Sequence, residues 1–381
     1  TLDATKLSGD LPAISAASLT NVPKDVTVGG RKNLIINGAM NVKQRGSILI
    51  TDAGGEYTLD RFQAYWRGGA LATATQDTDV PAGQGFSYSI KMDVTTGDSL
   101  GTSNDLVLFR QKIEGQDLQH LEYGHANAKT MTLTFWIKST VTGTYILRAS
   151  QADANDRINS TAYTVSSANT WEKKTITIAG DTSGVIDNNT GNGLELAWCF
   201  GSGSDFNSGT RSDNTWIAWD ATKQFQGQVN AVNSASNNIY ITGVQLEVGD
   251  TATDFEHRSF NEELALCERY YQKTLDYSLA PGTSTNSGIV YIGGCVYGNT
   301  TSGYIAGTVH LNKPMRATPT VQTYDGNALA GKVGRDNYAV NNAQGQQRNI
   351  QQQNDRTFQV DSSGTHTANV LIFHYTADAE L

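Results

Sequence analysis

Apolar and polar residues alternate with a period of two in several short runs of this chain, the period of half-buried β-strands. Residues 130–139 are the clearest case, where Leu133, Phe135 and Ile137 alternate with Thr134, Trp136 and Lys138. Residues 175–178 repeat the pattern in miniature, residues 194–198 lead into the loop Gly201, Ser202, Gly203, Ser204, and residues 239–248 close the series. Between Asn33 and about Glu256 these runs are separated by Gly, Asn and Asp turns, without a helical period. Many short strands so punctuated predict an antiparallel sandwich or jelly roll. Strand-like runs at 290–292, 304–306, 358–360 and 370–373 predict a second, C-terminal β-rich region. A very polar stretch, 341–356, divides them and reads as an exposed loop or ribbon.

One helix is predicted between the two β regions. Ser259 and Glu262 form an S-x-x-E capping box, and Glu262 and Glu263 suit the positive end of a helix. Leu264, Cys267 and Tyr271 mark its apolar face, with Arg269 and Lys273 near its C-terminal end. Its place between two β regions suggests a joint at which subunits meet. The first 32 residues follow a different rule. Leu2, Leu7, Leu11, Ile14, Leu19 and Val22 recur irregularly, and Gly9, Pro12 and Pro23 interrupt any helix. Such a segment buries its apolar residues only by winding with identical copies about a shared axis, so an oligomeric shaft is expected, with a flexible linker as the alternative. The expected organisation is a shaft or attachment segment over 1–32, a jelly roll over 33–258, a junction helix over 259–277 and a C-terminal β-rich domain over 278–381.

Composition narrows the function. Charged residues make up 17% of the 381 and hydrophobic ones 38%, both low for a soluble domain, yet there are 6 Trp, 16 Tyr and 11 Phe. Disordered chains are rich in charge and poor in aromatics, so disorder is excluded. The net charge of −9 and the lack of any basic block argue against nucleic acid. No stretch approaches the roughly 18–20 apolar residues of a membrane span. Cys199, Cys267 and Cys295 are far apart and odd in number, which gives neither a disulfide framework nor a zinc signature; Cys199 and Cys267 lie in apolar runs and are expected as buried free thiols. Thr1 stands where Met would begin a chain and no signal segment follows, so a processed product or part of a longer polypeptide is expected. An extracellular-type surface without a secretion signal fits a particle assembled inside a cell and released by lysis.

Several segments carry a family resemblance. Residues 33–46 (NLIINGAMNVKQRG) are similar to the opening motif of a carbohydrate-binding-type domain of bacteriophage tail fibres, and residues 57–62 (YTLDRF) resemble its aromatic-x-x-Asp-Arg-aromatic element. Residues 133–139 (LTFWIKS) resemble its central strand, and 242–249 (TGVQLEVG) with 252–256 (ATDFE) its closing motif. Residues 262–271 (EELALCERYY) resemble the helix that follows, 6–14 (KLSGDLPAI) the shaft-linker repeat, and 377–381 (ADAEL) the usual ending. The resemblance implies a jelly-roll domain on a homotrimeric virion fibre that adsorbs to the host by binding a cell-surface glycan, lipopolysaccharide or another polysaccharide. It implies attachment to a tail, baseplate or nozzle protein through the N-terminal segment, and it does not cover residues 278 to about 370.

Sugar recognition needs aromatic rings to stack on pyranose faces and amides, carboxylates and hydroxyls to meet the sugar hydroxyls. Tyr65 and Trp66 lie beside Gly68 and Gly69, Trp216 and Trp219 lie among Asp and Asn turns, and Trp136 points away from Phe135. Those five are candidate platforms, while Trp171 and Trp198 are expected in the core. If fibres place receptor contacts distally, Tyr324, Asp325, Arg335, Asp336, Tyr338 and Arg356 are candidates as well. Low charge density suits a neutral, hydroxyl-rich ligand. No cofactor is expected beyond a weak calcium candidate, where Asp153, Asn155 and Asp156 offer oxygens at short spacing without the full ladder of a calcium loop. The chain shows no H-E-x-x-H or G-x-S-x-G pattern and no β-helix repeat, so it is expected not to be an enzyme. A glycan depolymerase and a purely structural fibre or head-decoration protein are the rival readings.

Overall fold

Every strand predicted between residues 130 and 248 forms, and the alternation along each turns one face of it into a common core. The computed structural model describes residues 31–51, 54–153, 156–293, 295–297, 303–335, 346–347, 349–364 and 370–381. Outside them lie the expected shaft up to residue 30 and the candidates Asn155, Asp336 and Tyr338; Arg335 is described as backbone only. Two antiparallel sheets pack as a jelly-roll β-sandwich. One holds, in order, β1 (Ile48–Ile50), β4 (Leu71–Asp77), β5 (Ser89–Thr96), β13 (Asn238–Val248), β7 (Met131–Ser139) and β10 (Glu172–Ile178). The other holds β12 (Ile217–Ala218), β9 (Arg157–Val165), β8 (Gly143–Gln151), β11 (Asn192–Ser202), β6 (Leu106–Glu114), β3 (Gln63–Arg67) and β2 (Gly54–Tyr57). Register places Leu133 opposite both Ile176 and Leu246, so one apolar row runs across three strands. Aromatic rings fill the space between the sheets. Phe62 stacks on Phe109 with ring centroids 5.0 Å apart, and Trp198 meets Phe135 edge-on at 5.6 Å.

The excursion from β11 to β13 carries a four-residue helix, α1 (Ser204–Asn207). The predicted helix is α2 (Phe260–Cys267), and both halves of its Ser259–Glu262 capping box are present. It ends sooner than expected. Arg269 and the Tyr270 hydroxyl both turn to Glu114 of β6, at 2.7 and 2.6 Å. Tyr271 and Lys273 are therefore not helical but belong to β14 (Tyr271–Lys273), which pairs with the last strand, β23 (Val370–Asp378). The tertiary bonds made by these residues outweigh a helical period of only two further positions. β23 also pairs with β15 (Val290–Gly293), β18 (Thr320–Tyr324) and β19 (Lys332–Arg335), the last extended by β20 (Gln346–Gln347). A second C-terminal sheet runs β16 (Cys295–Tyr297), β17 (Gly303–His310), β22 (Thr357–Gly364), β21 (Asn349–Gln351). Val309, Val333, Phe358, Leu371 and Phe373 form the core here.

The segments that carry the resemblance bond to one another. Asn33 donates from Nδ2 to the Val244 carbonyl, and its Oδ1 accepts from the backbone N–H of Ile35 and of Leu246, all at 3.0 Å. A Cβ on Gly38 would collide with the Val244 carbonyl oxygen, so only glycine fits there. The backbone N–H of Asn37 donates to Glu263 of α2 at 2.5 Å, and its Nδ2 donates to the carbonyls of Val42 and Asp60. Asp60 accepts from the backbone and side chain of Gln44, both at 2.7 Å. Arg61, at a left-handed φ of 71°, sends its guanidinium to Glu380 and to the Lys112 carbonyl, 3.3 Å from the Tyr270 ring centroid. Burial would lower the pKa of Arg61, but Glu380, Tyr270, Tyr57 and Cys267 together more than reverse this, so the guanidinium stays charged. Arg45 adds contacts to Glu380 and Asp378 at 3.2 and 3.3 Å.

Removal of one partner of a buried ion pair leaves the other uncompensated, at a cost of about 3–5 kcal/mol. Glu380→Ala is therefore expected to lower the unfolding free energy by that order in urea denaturation. A loss below about 1 kcal/mol would mean that Arg61 finds another partner.

Candidate functional site

Because Phe109, Leu147 and Trp198 point into the sandwich core, their strand neighbours point outward from the seven-stranded sheet. Part of this outer face is covered. Phe225 and Phe206, from the excursion that begins with α1, pack on Leu106, Leu108, Ile146, Ala197 and Cys199. The Cys199 thiol is fully buried there, and burial pushes its pKa up to about 12, so it is inert.

Beside this apolar patch lies a row of charged and amide groups. Arg110 of β6 and Arg148 of β8 reach Glu195 of β11 from either side: Arg110 Nη1 meets Oε2 at 3.1 Å, and Arg148 Nη2 donates to Oε1. Arg110 Nε also donates to Gln63 Oε1 at 2.7 Å, and Arg148 Nη1 donates to Gln224 Oε1. An aromatic ring stands at each end of the row. Tyr65 lies 4.5 Å from the Arg110 guanidinium, and Trp219 lies 5.4 Å from that of Arg148. From Tyr65 on β3 to Arg148 on β8 there are three interstrand steps, about 14 Å at the usual spacing. Burial favours a neutral Glu195, but Arg148 and then Arg110 overcome it and hold the carboxyl below its usual range. Arg148 is buried, and burial lowers its pKa; Glu195 opposes this and Arg110 adds to it, so the net direction is down. Its Nε, the Gln224 Nε2 and the hydroxyl of Ser160, which is paired with Arg148 across β8 and β9, are buried and make no hydrogen bond.

The outer face of the six-stranded sheet is also aromatic, but its rings are engaged. Trp171 donates from Nε1 to Asp79 at 2.9 Å and meets Tyr240 edge-on. Lys138 pairs with Asp79, and Lys138 and Lys91 lie 4.8 and 5.9 Å from the Tyr240 ring. Trp136 is half-buried on this face, against Gly243 in the bulged part of β13.

The five aromatic candidates thus separate. Tyr65 and Trp219 share one face, and Trp219 is 44% exposed. Trp136 lies on the opposite face. Trp66 is a correction: 1% exposed, it points inward because it is the strand neighbour of the outward Tyr65. Trp216 is another, at 8% exposed, with its Nε1 donating to the Ala179 carbonyl and its ring against Tyr123. Trp198 is in the core as expected; Trp171 is not, since it caps the edge of an outer face. Sequence reasoning missed Gln63, Arg110, Glu195 and Arg148. Alternation marks each as outward on its own strand, but nothing local reveals that β3, β6, β11 and β8 are neighbours.

The described distal candidates do not form one cluster. Tyr324 is half-buried at the end of β18, opposite His374. Asp325 is corrected from binding residue to turn former: it is buried, and its Oδ1 accepts from the backbone N–H of Asn327 and of Leu329. Arg335 pairs with Leu371 through its backbone, whereas exposed Arg356 adjoins β22 in the other C-terminal sheet. Of the calcium candidates, Asp153 accepts from the Asp187 N–H at 3.0 Å and exposed Asp156 uses its carbonyl to accept from the Trp219 N–H. Among the described residues no group of three or more His, Cys, Asp or Glu could hold a metal ion, and no helix is long and apolar enough to cross a membrane.

No family model matches the chain, and no curated protein matches it. Solved structures similar to it include the enzymatically active domain of tailspike protein 4 of bacteriophage CBA120, at 16% identity and a TM-score of 0.30 over 57% of this chain and 21% of that one. This chain thus spans about a fifth of that tailspike domain's length. A family 11 carbohydrate-binding module from Clostridium thermocellum, in complex with a β-1,3-1,4-mixed-linked tetrasaccharide, is 12% identical, with a TM-score of 0.27 over 56% of this chain and 99% of that one. The N-terminal modules of Clostridium thermocellum xylanase 10B, complexed with xylohexaose, are 9% identical, with a TM-score of 0.29 over 60% and 30%.

The two classes of tryptophan differ in what their removal does. Trp66→Ala is expected to cost about 3–5 kcal/mol of stability as a large core truncation. Trp219→Ala is expected to cost under about 1 kcal/mol. Paired denaturation curves check this, and equal losses would contradict the division into core and surface rings.

Proposed function

We propose that the chain is a phage tail-fibre component that holds a host-surface glycan, without cleaving it, on the outer face of the seven-stranded sheet. The observation that carries this reading is the array Tyr65, Arg110, Glu195, Arg148, Trp219. Two rings bracket a row of fixed donors and acceptors on a rigid sheet, the combination that a pyranose chain requires. Each side chain is held by its neighbours before a ligand arrives, so little side-chain entropy is lost on binding. Among the described distal candidates, Tyr324 and Arg335 belong to the sheet of β23, Asp325 is a buried turn residue and Arg356 adjoins the other sheet, so the seven-stranded face is preferred as the receptor site.

The state of Glu195 supports binding without chemistry at this face. Glycoside cleavage needs a protonated carboxyl as general acid and a second carboxylate about 5–9.5 Å away. Glu195 is kept ionised by two arginines that engage both of its oxygens, so it is a poor proton donor. The fibre reading, with its homotrimer, its N-terminal anchorage and its place in the virion, rests on the resembling segments at 33–46, 57–62, 242–256 and 377–381, which the fold joins into one bonded network. Three copies of a weak site would raise affinity for a repeating polysaccharide through effective concentration.

Titration with host-surface polysaccharide tests the site. Tyr65→Ala and Trp219→Ala are each expected to weaken binding by about tenfold, with polymer length unchanged. Loss on Trp136→Ala instead would move the site to the other face. Shortened polymer would make the protein a depolymerase.

A further inference from the structure

The charge on this face is lopsided. Arg67, Arg110, Lys112 and Arg148 all belong to the outward side of β3, β6 and β8, and Glu195 is the carboxylate that meets Arg110 and Arg148; Glu114, at the end of β6, is taken by Arg269 and Tyr270, and Asp98 and Asp105 accept from backbone N–H groups. That excess of cations sits on a chain whose net charge is −9. Acidic residues on the covering excursion do not balance it, because they are engaged elsewhere: Asp213 pairs with Arg211, Asp220 with Lys223, and Asp205 accepts from Ser103. Lys112 spends its ammonium on the Leu381 carbonyl at 2.8 Å, and burial followed by Arg110 lowers its pKa.

The accessible part of the excess is at Tyr65. The Arg110 guanidinium lies 4.5 Å and that of Arg67 5.7 Å from the ring centroid, with Arg67 Nη2 donating to the Tyr65 hydroxyl at 2.6 Å. Arg110 commits Nε and Nη1 to Gln63 and Glu195, which leaves Nη2 uncommitted on a side chain that is 16% exposed. Arg67 is half-buried, and its Nη2 meets a phenol rather than a carboxylate. A sugar stacked on Tyr65 would therefore place its substituents between two guanidinium forks, the groups best shaped to take a planar or tetrahedral oxyanion.

We propose that this face selects saccharides bearing an oxyanion, a carboxylate or a phosphate ester, which Arg67 and Arg110 take up beside the Tyr65 ring. The proposal rests on the glycan-binding reading above and departs from the expectation of a neutral ligand drawn from low overall charge density. The arginines bind and orient; they perform no reaction.

The test compares matched polymers on the full chain by calorimetry: a polyuronate with its carboxyl-reduced form, and a phosphate-substituted polysaccharide with its dephosphorylated form. At least one acidic polymer is expected to bind about tenfold or more tightly than its neutral partner, from one new charge-assisted contact. Preference in the first pair identifies a carboxylate, and preference in the second a phosphate ester. Arg67→Gln, on a half-exposed side chain outside the core, is expected to abolish that preference while leaving the melting temperature unchanged; a preference that survives the substitution would overturn the role of Arg67. Equal binding within both pairs would overturn the oxyanion proposal and leave glycan binding standing. Failure of all four polymers to bind would overturn the glycan-binding reading itself.

Discussion

Arg61 is the residue on which the arrangement turns. Its guanidinium joins four parts of the chain: the turn before β3, the β6 backbone at Lys112, the residues after α2 at Tyr270, and the last residues at Glu380. A left-handed backbone at a non-glycine residue costs about 1 kcal/mol or more, and a buried guanidinium costs more still without a counter-charge. Both are tolerated because Glu380 arrives from more than three hundred residues away. The C-terminal β unit is therefore no appendage; its final strand delivers the anion that lets the sandwich close. A second bond of the same guanidinium, from Nη2, fixes the carbonyl of Lys112, two residues from Arg110, and so steadies the strand at the centre of the proposed glycan surface.

That surface applies the same principle in a milder form. At Glu380 one carboxylate serves Arg61 and Arg45, with Asp60 and Asp378 also beside Arg45, whereas Glu195 alone serves both Arg110 and Arg148. The sharing makes the row rigid, since Arg110, Arg148, Gln63 and Gln224 can move only together. It also withdraws Glu195 from proton transfer and leaves cationic capacity unspent at the Tyr65 end. Rigidity, lack of acid–base function and residual positive charge are thus three consequences of one charge ratio.

Much of the fold was legible because the alternation of residues 130–139, 175–178, 194–198 and 239–248 is a local property of each strand. The capping box of α2 was legible for the same reason. What local pattern could not reveal was where non-local bonds win. Arg269 and Tyr270 leave the helix for Glu114, and Tyr271 and Lys273 join β23, because partners distant in sequence offered better satisfaction than another helical turn. The aromatic candidates show the same limit. That Tyr65 and Trp66 point to opposite faces follows from the period of two, but which face is core depends on Phe109 and Trp198 from other strands. Trp216 and Trp219 differ because one N–H finds the Ala179 carbonyl inside a turn while the other ring lies over Arg148. The Arg110, Glu195, Arg148 row was invisible altogether, since it exists only once β6, β11 and β8 lie side by side.

The central claim is that ligand meets the face bearing Tyr65 and Trp219. It is tested most directly by following the six Trp indole N–H resonances by NMR while an oligosaccharide from the host surface is titrated in. The account predicts that the Trp219 signal shifts with saturation while those of Trp136 and Trp171 stay in place. Shifts at Trp136 and Trp171 with Trp219 unmoved would contradict it.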